Sequence, residues 1–101
     1  MILMEFKLKI EPLAKLDIQN EINFYNSKQK GLEKKFHTET KEYFKAILLS
    51  PFYGIRYDDV YCLPLKKFPV MIHYNIDEHK KIIVIRAVIN THKDPNIYWL
   101  K

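Results

Sequence analysis

The sequence predicts an α+β fold: a two-layer β-α-α-β-β-β arrangement, with a helical hairpin packed on one face of a mostly antiparallel, four-stranded sheet. Three observations predict it. Residues 68–90 hold two alternating apolar runs around a short charged turn, the pattern of a long β-hairpin. Residues 13–49 hold two amphipathic helical patterns split at Gly31. Residues 4–11 alternate at strand period ahead of Pro12. Helices and strands segregated along a chain in this way build two layers.

Taken in order, Phe6, Leu8 and Ile10 alternate with Lys7, Lys9 and Glu11, which describes a half-buried strand. Pro12 ends it and suits a helix entry. Leu13, Leu16, Ile18, Ile22 and Tyr25 form the apolar stripe expected of a first helix, from Leu13 to about Lys28. The second runs from Leu32, with Phe36, Tyr43, Phe44, Ile47 and Leu48 on one side, and stops near Leu49 because Ser50 precedes a proline. Residues 51–59, PFYGIRYDD, read as a loop. Residues 60–66 read as a strand interrupted by Pro64, which suggests an edge or a bulge. The strand at 81–90 is apolar on both faces and is expected in the middle of the sheet.

At 101 residues the whole chain, 1–101, is expected to be a single domain. One cysteine, Cys62, excludes an internal disulfide and fits a reducing compartment; it reads as buried filler. No apolar run approaches the ~20 residues of a membrane span, and the start is too short and charged for a signal peptide. The expected location is the cytoplasm, with no membrane partner. The net charge of +5 is spread along the chain: nine basic and seven acidic residues in the first fifty, eight and five in the rest. That favours anionic partners without selecting among them. His37, His73, His79 and His92 lack paired spacing, so no metal site is expected, and no glycine-rich phosphate loop or cofactor motif is present.

If the apolar side of the hairpin, including Ile89, faces the helices, the other side carries Lys7, Lys9, Met71, His73, Asn75, Val84, Arg86, Val88 and Asn90. Basic and apolar residues so mixed describe a partner-binding face. The alternative is that the C-terminal residues or a second copy of the chain cover it.

Several segments together resemble the RelE/ParE superfamily of bacterial toxins, and the ParE-like branch in particular. They are Ser50 to Gly54 (SPFYG) after the second helix, Phe68-Pro69 opening the hairpin, and Ile72 to Asp77 (IHYNID) ending in an acidic turn. The apolar strand Ile82 to Val88 and the ending Lys93-Asp94-Pro95 with Trp99 complete the set. The resemblance implies a toxin of a type II toxin–antitoxin pair, of the plasmid-stabilisation kind, neutralised by a cognate antitoxin in a homodimer or a heterotetramer with that antitoxin. ParE-like members inhibit DNA gyrase; RelE-like members cleave messenger RNA on the ribosome. A toxin fold that has lost toxicity is a third reading. This chain has Val70 and Tyr61 where arginines are common in the family, and Asn90 where many ParE-like members have histidine.

RNA cleavage needs a base for the 2′-hydroxyl proton, cations for the phosphorane and an acid for the leaving group. His73, Arg86, His92, Lys93 and Tyr98 are the residues of suitable type. Each has a simpler role: Arg86 pairs with an acidic partner segment, His73 lies at a surface, and Tyr98 and Trp99 anchor the C-terminus. The expected antitoxin- or target-binding set is therefore Met71, Val84, Arg86, Val88, Asn90, Lys93 and Trp99, and the expected activity is binding rather than catalysis. The densest basic run, Lys28, Lys30, Lys34 and Lys35, reads as a solvated helix turn.

Overall fold

The computed structural model describes residues 5–91. In chain order the elements are β1 (Lys7–Ile10), α1 (Pro12–Lys28), α2 (Leu32–Leu49), a 3-10 turn (Pro51–Tyr53), β2 (Ile55–Tyr57), β3 (Val60–Pro64), β4 (Val70–Asp77) and β5 (Ile82–Asn90). The strands make one sheet, ordered β1-β5-β4-β3-β2. β1 runs parallel to β5, and the other pairs are antiparallel. The expected α+β sandwich holds, with one strand more than expected. β5 is interior, between β1 and β4, but the fifth strand moves the middle of the sheet to β4.

The added strand lies in the segment read as a loop. Ile55, Arg56 and Tyr57 pair with Cys62, Tyr61 and Val60 around a two-residue connection, Asp58-Asp59. Asp58 takes φ 54°, a left-handed turn conformation that aspartate tolerates better than most residues. A run of three residues is too short to show alternation. Pro64 ends β3 beyond the reach of β2, so on that side no ladder donor is missed.

The helices begin and end where the sequence indicates. Pro12 occupies the first turn of α1, and Gly31, at φ 93°, turns the chain into α2. One carboxylate oxygen of Glu39 on α2 accepts the Lys66 and Lys67 amides at 3.1 Å each, fastening the β3–β4 turn to the helix. Beneath it Tyr25, Phe36 and Phe68 interlock with ring centroids 4.8–5.5 Å apart. Ile47, Ile72, Tyr74, Ile83 and Ile85 continue this core between helices and sheet.

Two details depart from the expected pattern. In α1 the inward residues are Ala14, Glu21 and Tyr25, with Ile18 and Ile22 partly covered; Leu13 and Leu16 are 72% and 55% exposed. In β5, His73 pairs with Ala87 but Tyr74 pairs with Ile85, so Arg86 is an extra residue without a partner across the strand. That bulge reverses the two sides of the strand beyond it. Val88 and Asn90, expected on the outer face, are buried against α1, while Ile89, expected toward the helices, shares the outer face with Met71 and Ala87.

Candidate partner-binding surface

The face of the sheet away from the helices is set by register, since residues paired across strands share a side. It carries Lys7 and Lys9 on β1, Ile82, Val84, Ala87 and Ile89 on β5, and Met71, His73 and Asn75 on β4, with Cys62 on β3. Of the expected binding set, Met71 and Val84 are on this face and half-buried. Arg86 projects from the bulge and is exposed. Its Nε lies 3.6 Å from Glu11 Oε1, which ties it to the entry of α1. Lys93 and Trp99 lie outside the described residues, as do the catalytic candidates His92 and Tyr98.

Val88 and Asn90 serve another purpose. Beyond Ile10 the chain turns into α1, so among the described residues the outer edge of β5 past Ile85 has no neighbouring strand. α1 supplies acceptors instead. Asp17 Oδ2 takes the Val88 amide at 3.0 Å, and Asn90 Nδ2 donates to Glu21 Oε1 at 3.0 Å and to the Tyr25 hydroxyl at 3.2 Å. These carboxylates turn inward to meet the open strand edge, which is why Leu13 and Leu16 turn out. Burial pushes the Asp17 carboxyl above its ordinary pKa, against the pull of the Val88 amide and with the Glu21 charge adding to the rise.

His73 is the second correction. Expected at the surface, it is 5% exposed, and neither ring nitrogen has a hydrogen-bond partner among the described residues. Burial holds its pKa below the ordinary imidazole range, against a smaller opposing pull from the Met71 backbone. Cys62, directly across the ladder, is 1% exposed, and burial raises its thiol pKa. Among the described residues no three His, Cys, Asp or Glu side chains gather to hold a metal ion.

Sequence reasoning missed the apolar surface at the end of α2. Leu49 is 85% and Tyr53 80% exposed, with Phe52, Ile55 and Tyr57 also exposed. Ala46, Ile47, Leu49, Ser50, Tyr53 and Leu63 line a groove of about 310 Å³ there. The signal was present in FYGIRY, where four aromatic and branched residues exceed what one loop needs for its own packing. The lysine run is where a solvated turn would put it, though the fold adds Lys67 beside Lys34 and Lys35 around a second hollow of about 550 Å³. No described helix is long and apolar enough to cross a membrane.

No protein-family model matches the sequence, and no curated protein matches it. Solved structures do. A chain of the chromosomal ParDE TA system from P. aeruginosa superposes with TM-score 0.75 at 17% identity, over 87% of this chain and 98% of that one. The RelBE2 toxin–antitoxin complex from Mycobacterium tuberculosis gives 0.61 at 14%, over 85% and 91%. The isolated E. coli RelE toxin gives 0.64 at 16%, over 84% and 83%. The chain therefore has the fold shared by these RelE and ParE toxin–antitoxin structures.

Proposed function

We propose that this chain is the toxin of a toxin–antitoxin pair, that it inhibits DNA gyrase by binding it, and that an antitoxin neutralises it. The observation that carries the choice of gyrase over messenger RNA is the state of the three polar groups on or near β4 and β5. His73 is buried and held in its neutral form, Arg86 is turned onto Glu11, and Asn90 is engaged by α1. These groups make no acid–base pair facing solvent, and losing one charge-stabilising donor already slows such a reaction by about 10²–10³-fold. Binding asks less of them.

The antitoxin reading is supported by the apolar and basic groups that meet at the entry of α1. Arg86 is tied to the residue before Pro12, and Leu13 and Leu16 stand exposed in the turn that follows. An acidic amphipathic segment that folds on binding suits that combination. Expressing the chain without its antitoxin and following supercoiling by purified gyrase alongside transcript cleavage tests the target. Loss of supercoiling with transcripts intact is expected. Codon-positioned cleavage with supercoiling untouched would overturn the assignment in favour of a ribosome-dependent ribonuclease.

A further inference from the structure

We propose that Cys62, His73 and Met71 form a binding site for a soft monovalent metal ion of the Cu(I) and Ag(I) class. Register brings them together. Cys62 is paired with His73 and Pro64 with Met71, so the thiol, the imidazole and the thioether share the sheet face away from the helices. Directly opposed residues of an antiparallel pair keep their Cβ atoms about 4.5–5.5 Å apart. Residues two apart on one strand are about 7 Å apart. A long, flexible methionine spans that difference, and two sulfurs and one ring nitrogen can reach a single ion.

The unsatisfied imidazole points to a ligand. Both ring nitrogens of His73 are buried without a hydrogen-bond partner among the described residues, and a buried polar group left so in a folded protein calls for an ion, a water or a chemical role. A chemical role as a cysteine–histidine ion pair does not fit, since burial keeps the Cys62 thiol protonated and the His73 ring neutral. A soft cation fits. On binding, the Cys62 S–H bond gives its proton to solvent and a sulfur–metal bond forms, with the His73 lone pair and the Met71 sulfur as neutral donors. One thiolate and one monovalent ion cancel in charge, which a buried site favours. A divalent ion such as zinc would keep an excess charge and seeks four ligands. Zinc and iron–sulfur sites also take thiolates, so it is the thioether beside the thiolate that favours Cu(I). Met71, half-buried where the other two are covered, marks the side from which an ion enters.

Ag(I) is the first probe, because it stays monovalent in air. Native mass spectrometry of the full chain, in chloride-free buffer without thiols, should give one ion per chain. Cys62→Ser should abolish binding, His73→Phe should weaken it by at least about tenfold, and Met71→Leu should weaken it by less. Nitrogen-15 spectra of the unaltered protein should move the His73 ring signal at one equivalent and leave His37 and His79 in place. Cu(I) competing against bathocuproine should rank the variants alike. Undiminished binding by a folded His73→Phe chain, or a ring shift at His37 or His79 instead of His73, would reduce the site to a bare thiol and overturn it.

Discussion

The Asp17 carboxylate stands in for a missing strand: its Oδ2 accepts the Val88 amide at 3.0 Å, where β1, ended at Ile10, would otherwise have continued the ladder. A side chain from α1 thereby completes the hydrogen bonding of β5. Asp17→Ala should destabilise the fold by about 1–3 kcal/mol, the cost of an amide left unsatisfied in a covered site. Asp17→Asn, which keeps an acceptor, should cost less. Urea denaturation of both checks this, and equal midpoints would mean that water serves the amide as well.

The bulge at Arg86 makes a sharper prediction. Arg86→Ala removes an exposed side chain from a partly exposed ion pair and should change stability little, within about 1 kcal/mol. Deleting Arg86 removes the extra residue and should turn Ala87 and Ile89 toward the helices and Val88 and Asn90 away from them. Cooperative unfolding should then be lost, seen as a collapsed denaturation slope. By contrast Ile85→Ala, at 0% exposure just before the bulge, should cost about 2–5 kcal/mol with cooperativity kept.

Gly54 is fixed by lack of room. A Cβ there would meet the Tyr74 hydroxyl at 3.0 Å and the Cys62 carbonyl oxygen at 3.1 Å. The same hydroxyl donates to the Pro51 carbonyl at 2.8 Å, and burial pushes its pKa up to about 12. Tyr74→Phe should cost about 0.5–1.5 kcal/mol. Gly54→Ala should also destabilise, and in a Tyr74→Phe background it should do so by less, because one of the two close contacts is gone. A double-mutant cycle on thermal melts measures that coupling.

The pH dependence follows from His73. Its folded pKa lies below the unfolded value of about 6.5. Between the two the unfolded chain binds the extra proton, so stability is full above about pH 6.5 and declines as the pH falls below it. Asp17, with a raised pKa, acts in the opposite sense and in the carboxylate range. Melting temperatures taken between about pH 5.5 and 7.5 should fall toward acid in the natural chain and fall less in His73→Phe. Parallel slopes would assign the acid sensitivity to other groups.

Much of this architecture was legible in the residues. The helix limits followed from Pro12, Gly31 and the Ser50-Pro51 step, each a local backbone restriction that the rest of the chain does not override. The long hairpin followed from alternation. Three things were not legible, for three reasons. β2 is shorter than the alternation that would reveal it. The bulge inserts one residue where Ile85 to Ile89 reads as an unbroken two-residue period. The inward turn of Asp17 and Glu21 answers a strand edge whose exposure depends on where β1 ends, so no local pattern could report it. The expected binding set lost Val88 and Asn90 for the second and third reasons together.

The parallel pairing of β1 with β5 sets a schedule as well as a shape. Lys7 finds its partner in Ile82 and Ile10 finds its partner in Ile85, so β1, made early, waits for β5, made late. At ribosomal speeds of about 5–20 residues per second, that wait lasts seconds, far longer than a helix or a hairpin takes to form. During it the α1–α2 pair is made while the sheet that completes its core is still emerging. A nascent chain of this design lacks its complete sheet until β5 has left the ribosome, so any activity that needs the finished sheet can begin only then.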